Sequence, residues 1–259
     1  MAALSSFAYE TYYLGLRTSR RFIRVPSNWL PVIIFPLINL LIFSQLYQQI
    51  VELPGFGSQS SYLAYLAPGQ VAFTAFMAVA WSAYAMVVEY RTGYLDKLRA
   101  SPIGRWSILA GEMVPLFFQA AAMASVLLLV GVLLGATIVT GVGGFLLILA
   151  LSGAFGIAFA GASFIPALLT RSEQAGSTFS MLLFPIVFMS TAFVPEALMP
   201  AWMQVVNRWN PITYLIEAIR AVMVSGYDWG AIGAALISMG IMGVILQGAT
   251  LWAFNRLAR

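Results

Sequence analysis

Six charged side chains, Glu89, Arg91, Asp96, Lys97, Arg99 and Arg105, fall within seventeen residues of a 259-residue chain that carries only thirteen basic and nine acidic groups. Mixed signs beside the apolar Tyr94, Leu95 and Leu98 suit a surface that docks on a soluble protein, and a short helix ended by Ser101-Pro102 would present them together. A solvated loop that merely sets membrane topology has the same composition. Lys97 is the one lysine, and Gly93-Tyr94-Leu95-Asp96-Lys97-Leu98 lacks the second glycine and the hydroxyl residue of the phosphate-binding loop G-x-x-x-x-G-K-[ST]. Any ATP-driven step is therefore expected to need a partner. Cysteine and histidine are both absent, which removes thiol chemistry, disulfides, an imidazole base and metal ligation through those side chains. With no set of carboxylates or activated nucleophile either, neither an enzyme nor a metal site is expected.

A second group lies between Pro195 and Tyr227. This segment is too apolar for a solvated loop, with Met199, Trp202, Met203, Val205, Val206 and Trp209 in its first half, yet too interrupted for a full span. Asn210 suits a helix N-cap with Pro211 at the first helical position, Tyr214 follows one turn on, and Glu217 with Arg220 forms an i,i+3 pair. A re-entrant pair of short helices over 195–228 fits, narrowing an outer exit; an interfacial anchor rich in Trp and Tyr is the other reading.

The elements that position these groups follow from the scarcity of charge. An average soluble chain of this length would carry roughly 65 charged residues, whereas here 61% of the residues are hydrophobic and mean hydropathy is +0.89. Lipid is the solvent that such a chain requires. Uncharged runs of 27, 36, 58, 22 and 27 residues separate the charges, and a helix needs about 20 residues to cross the hydrocarbon. The longest run holds two crossings around a turn at Ala136–Gly144. The pattern predicts an all-α membrane protein of six spans near Asn28–Gln48, Leu66–Val88, Met113–Thr137, Gly144–Leu169, Ser177–Val194 and Ile232–Phe254.

Eleven of the thirteen Lys and Arg residues then fall on one side and only Arg208 and Arg220 on the other. By the positive-inside rule both termini and the 89–112 loop are cytoplasmic, and 195–228 is outside. The pI near 9.5 reflects this sidedness and does not point to nucleic acid. Residues 1–27 do not resemble a cleavable signal peptide. On a helical wheel Glu10, Arg17, Arg20, Arg21 and Arg24 share an arc opposite Leu4, Phe7, Leu14 and Phe22, which fits an interfacial helix; a basic tail that sets topology is the alternative. None of the six span cores contains an ionisable residue, which disfavours proton coupling. Polar span residues, Asn39, Gln45, Gln70 and Thr74 among them, suit interhelical hydrogen bonds or contact with a substrate.

Two stretches carry a family resemblance. Glu89-Tyr90-Arg91-Thr92-Gly93-Tyr94-Leu95-Asp96-Lys97-Leu98-Arg99-Ala100-Ser101-Pro102 resembles the E-x-x-x-G-x-x-[ED]-x-L-x-x-[ST]-P segment of ABC-2 type transporter permeases. Val194-Pro195-Glu196-Ala197-Leu198-Met199-Pro200, followed by Trp209-Asn210-Pro211-Ile212-Thr213-Tyr214 and Glu217-Ala218-Ile219-Arg220, resembles the family's external region. The resemblance spans nearly the whole chain as a single transmembrane domain over 1–259, and within the family it is most similar to daunorubicin-resistance-type drug export permeases. It implies a coupling helix at Glu89–Pro102 fitting a groove on an ATPase subunit, which binds the ATP and Mg; this chain holds no cofactor. It also implies a second permease copy or sibling permease, a multi-pass place in the cytoplasmic (inner) membrane, and export of a hydrophobic drug, lipid or glycolipid. A stand-alone facilitator, channel or structural membrane subunit is the rival expectation.

Overall fold

A computed structural model describes residues 2–26, 29–52, 61–80, 82, 87, 92, 97 and 103–257, and every regular element it describes is helical. Helix α1 (Ala2–Arg24) precedes α2 (Leu30–Leu46), α3 (Tyr62–Ala80), α4 (Arg105–Leu133), α5 (Gly141–Phe159) and α6 (Gly161–Thr170). The chain continues through α7 (Glu173–Leu182), α8 (Phe184–Phe188), α9 (Ala201–Trp209), α10 (Pro211–Arg220) and α11 (Trp229–Leu257). A π turn over Ala221–Ser225 joins the last two.

Four stretches are long and apolar enough to cross a membrane: Tyr62–Ala80, Trp106–Leu133, Gly141–Thr170 and Trp229–Arg256, with Leu30–Leu46 a shorter apolar helix. This is a multi-pass membrane protein. The predicted turn at Ala136–Gly144 corresponds to the break between α4 and α5. Two expectations need correction. Helix α4 begins at Arg105 and not at Met113, so the last eight residues of the 89–112 loop are helical. Apolarity alone marks where charge stops, and it misses a helix whose first turns carry the buried Glu112. The predicted span Ser177–Val194 is also not continuous: α7 stops at Leu182, α8 lasts five residues, and the chain turns irregularly from Met189. Pro185 supplies no amide for a helical bond to Met181, and the hydroxyl of Ser190 donates to the carbonyl of Val187.

Helix α4 is the central strut, packed by α1, α2, α3 and α5, while α11 packs on α5, α6 and α10. A core of Phe73, Phe76, Phe155, Phe164 and Leu127 fills the space between them. Hydrophobic exclusion does not drive helices together in lipid, so close packing must. Gly111 of α4 illustrates it: a Cβ there would lie 2.5 Å from the Leu14 Cβ, which is how α1 reaches the strut.

Candidate functional site

The irregular stretch after α8 poses an accounting question, because backbone groups at membrane depth must find partners within the protein. Side chains from two helices meet it. Tyr65 Oη donates to the Thr191 carbonyl at 2.9 Å, Tyr62 Oη to the Phe193 carbonyl at 3.1 Å, and Asn210 Nδ2 to the Ile186 carbonyl at 2.6 Å. Both tyrosines lie on one face of α3, with Gly69, Phe73 and Phe76 following at helical spacing. Phe184 of α8 packs on Phe73 and Phe76 with centroids 5.4 and 6.5 Å away. That face of α3 thus runs along the broken segment for its whole length. Gly69 marks the closest approach, where a Cβ would sit 2.4 Å from the Ala192 carbonyl oxygen.

Arg220 closes this collar from α10. Only 8% exposed, it pairs with Glu217 at 2.5 Å, donates from Nη2 to the Thr191 carbonyl at 2.7 Å and to the Tyr65 carbonyl at 3.4 Å, and stacks 4.1 Å over the Tyr65 ring. Thr191 Oγ1 in turn donates to Glu217 Oε1 at 2.5 Å. One guanidinium therefore joins three segments that are remote in sequence, and its planar fork suits that task better than an ammonium. Burying a cation is costly without such compensation, which the carboxylate, two carbonyls and a π face supply together.

Helices α9 and α10 are two short helices within 195–228. Asn210 caps α10 by accepting from the Ile212 amide at 3.0 Å, with Pro211 at N1. The buried Asn207 accepts from Thr213 Oγ1 at 2.6 Å and donates to Glu196, which also pairs with Arg208 at 3.2 Å. Tyr214 Oη donates to the Arg208 carbonyl at 2.7 Å. These bonds fix the angle between the two short helices. Thr140, in the turn after α4, donates to the Val222 carbonyl at 2.8 Å, so this unit, the collar and the far end of α4 lie together.

At the opposite end of the strut, α1 is clamped to the start of α4. Thr18 Oγ1 donates to Glu112 Oε1 at 3.0 Å in a buried site, and the Gly104 amide donates to Glu10 Oε2 at 3.4 Å. The charged arc of α1 is partly engaged within the protein: Glu10 touches the start of the strut, and Arg17 and Arg21 also have partners. Of the residues expected to couple to an ATPase, Lys97 is exposed, while Glu89, Arg91, Gly93, Asp96, Leu98, Arg99, Ser101 and Pro102 lie outside the described residues. Among the polar span residues, Thr74 donates to the Gln70 carbonyl one turn back in α3, and exposed Gln45 accepts from Gln48 at 2.7 Å. The Gln70 amide is fully buried with no hydrogen-bond partner among the described residues, and Asn39 is half-buried on α2, the helix beside α3.

Sequence reasoning missed Tyr62, Tyr65, Thr191, Thr18 and Glu112. A usable signal existed for the tyrosines, because two phenols at i and i+3 in an apolar run each need a partner once buried. For Thr191 no local signal exists, since its role comes from segments 126 residues before and 29 residues after it.

The sequence profile of the ABC-2 type transporter family matches residues 9–224. The ycf38 protein of Cyanophora paradoxa is 29% identical over 222 residues, which cover 83% of this chain and 74% of that one. The daunorubicin resistance ABC transporter permease protein DrrB1 of Streptomyces coeruleorubidus is 25% identical over 232 residues, covering 88% and 80% of the two chains.

Proposed function

Because the chain belongs to the ABC-2 type transporter family, we propose that it is the membrane-spanning permease subunit of an exporter driven by ATP hydrolysed on a separate ATPase subunit. The observation that carries this reading is the arrangement along α4. The charged segment Glu89–Pro102 leads directly into one end of the strut, and the Arg220 collar and the α9–α10 unit stand at the other. At about 1.5 Å per residue the 29 residues of α4 separate the two by about 40 Å, enough to cross a bilayer. A push on Glu89–Pro102 would be carried by α4 to the α9–α10 hairpin, which forms the outer gate through Asn210, Pro211, Tyr214, Glu217 and Arg220. Two such permeases, identical or sibling copies, complete the pathway between them.

Six membrane-crossing segments remain the topology we adopt, with α7 and α8 forming a broken fifth. Both termini and Glu89–Pro102 face the cytoplasm, and the hairpin faces outward, at the inner membrane of a bacterium or an archaeal cell membrane. The chain has no native cysteine, so single reporters need no background removal. Lys97→Cys should resist an impermeant thiol reagent in intact cells, whereas the exposed Ser225→Cys should react within minutes. Equal labelling would overturn the orientation. Ser107 would be a poor reporter on either side, being 2% exposed.

The absence of ionisable side chains in the predicted span cores and the relation to a daunorubicin resistance permease support a hydrophobic drug, a lipid or a glycolipid as cargo. Of the four polar span residues, Gln70 has the amide left for such a cargo; Asn39, Gln45 and Thr74 would line its approach. The decisive experiment is copurification of the chain with its native partners, tested for an ATPase subunit, followed by export from reconstituted vesicles. Asp96→Lys should cut ATPase association and ATP-dependent export by about tenfold, since a reversed charge at a docking surface opposes the partner's field. Gly93→Pro should do the same, because proline opposes the short helix expected from the sequence there. Unchanged export in both variants would place the docking surface elsewhere.

A further inference from the structure

The apolar stretch Gly141–Thr170 is long enough to cross the membrane yet is interrupted within it, since α5 ends at Phe159 and α6 starts at Gly161. The sequence supplies two causes. Pro166 has no amide to give the Ala162 carbonyl, and the Ser163 hydroxyl lies 3.0 Å from the Ala160 carbonyl, where it competes with helical amides. At the break the Ile157 carbonyl accepts from the Ala160 amide, three residues on, at 3.3 Å, and from Gln247 Nε2 of α11 at 2.5 Å. Helix α11 lies close over this point: a Cβ on Gly161 would stand 2.6 Å from the Leu246 carbonyl oxygen. A side chain from another helix thus holds the turn at which the crossing leaves its own regular ladder.

The two arms have different neighbours. Helix α5 packs on α4 and α3, whereas α6 packs chiefly on α7 and α11. The first turn of α6 is also tied to the end of α3: Ser163 Oγ lies 3.2 Å from the Val79 carbonyl, which accepts from Ser82 Oγ at 2.7 Å, and the two hydroxyls are 3.0 Å apart. Val79 stands in the last turn of α3, where carbonyls have no amide of their own helix, and Ser82 lies seven residues before Glu89. We propose that residues 157–163 form a hinge, pinned by Gln247, about which α6 swings with the end of α3 while α5 stays on α4. Hinges are a few residues at element ends that absorb backbone rotation, and Ala160-Gly161 carries little side chain to obstruct it. Since α6 packs on α7, which leads to the broken segment, the swing gives a movement of α3 a route to Thr191 that does not pass through α4. The hinge is a property of the chain alone; its use in export rests on the permease reading.

Paired spin labels on the full chain in nanodiscs test this, read by double electron–electron resonance. Leu146→Cys with Leu169→Cys places labels at exposed sites on either side of the break, and Phe118→Cys with Leu146→Cys, joining α4 to α5, is the control pair. The hinge pair should give a distance distribution about twice as wide as the control pair. Gln247→Met, close in size but without a donor, should widen it further, and Pro166→Ala, which returns an amide to the ladder, should narrow it to the control width. With the copurified ATPase and ATP, the hinge pair should shift by about 3 Å or more and the control pair by less than about 1 Å. A hinge-pair distribution as narrow as the control, or one that neither substitution changes, would mean a fixed kink and overturn the proposal. An equal ATP-dependent shift in both pairs would mean that the crossing moves as one body, and would overturn it too. Failure to associate with any ATPase would sink the permease reading alone, with the widths still deciding the hinge.

Discussion

Arg220→Ala is expected to cut export more than tenfold at matched membrane abundance and to lower the melting temperature of the purified protein. Removing one partner of a buried ion pair costs about 3–5 kcal/mol. Here the Glu217 side chain is 43% exposed and can turn toward water, so a loss of about 2 kcal/mol is the better expectation. Part of that loss has nothing to do with Glu217, because the Thr191 and Tyr65 carbonyls and the Tyr65 ring lose their cation as well. Glu217→Ala should cost a comparable amount, about 2 kcal/mol, since it leaves the buried Arg220 cation with its carbonyl and ring partners but no counter-ion. The double variant should be no worse than Arg220→Ala alone, because Glu217 acts largely through the arginine. Arg220→Lys should not restore export, as one ammonium cannot hold the collar together as a fork does. Near-normal export and melting in Arg220→Ala would show that the α9–α10 unit needs no anchor on α3 and would sink its assignment as a gate.

The second large effect is expected from a single added methyl group. Gly69→Ala places a carbon 2.4, 2.7 and 2.9 Å from the carbonyl oxygen, Cα and carbonyl carbon of Ala192. All three are backbone atoms, so no rotamer change relieves the overlap; α3 and the broken segment must separate. Overpacking of this kind costs about 1–3 kcal/mol. Separation would also stretch the bonds from Tyr62 and Tyr65 to the Phe193 and Thr191 carbonyls. Gly240→Ala is the matched control, because no atom of another element among the described residues lies within 4 Å of the new carbon there. In α11 it removes a glycine from a helix interior and should be neutral or stabilising by up to about 1 kcal/mol. Thermal unfolding in detergent should therefore place Gly69→Ala below the parent protein and Gly240→Ala at or above it. Equal melting temperatures would mean that α3 does not rest on the 190–193 backbone.

How far the sequence discloses this arrangement depends on the range of the interaction. Helices α3, α5 and α11 appear where the uncharged runs place them, because about 20 apolar residues between charges determine a span by themselves. Asn210-Pro211 announces the start of α10, since a cap and an N1 proline act within one turn. The pairing of Glu217 with Arg220 is equally local. By contrast, the run from Ser177 to Val194 is apolar enough to read as one span, and only Pro185, Ser190 and Thr191 hint that its helix fails. The failure is tolerated because Tyr62, Tyr65, Asn210 and Arg220 supply donors from elsewhere, and no window of the sequence contains those partners together. Glu112 shows the reverse error: a charge taken to end a span lies buried inside a helix because Thr18, 94 residues earlier, meets it.

The carbonyls of Ile186, Thr191 and Phe193 accept from side chains, whereas inside a regular helix each would accept from an amide four residues on. An amide in a helix cannot release its acceptor without the turn around it unwinding, so such bonds open as a group. A phenol or a guanidinium lets go by rotation about its own bonds, which is faster and involves one residue at a time. The broken segment is thus held by separate latches, each with its own opening cost, and each is mounted on an element outside the segment itself. A displacement of α10 that drew Arg220 away would leave the phenol of Tyr65 still on Thr191, and the chain would loosen in steps. The same backbone wound into an unbroken span would resist until its hydrogen bonds failed together.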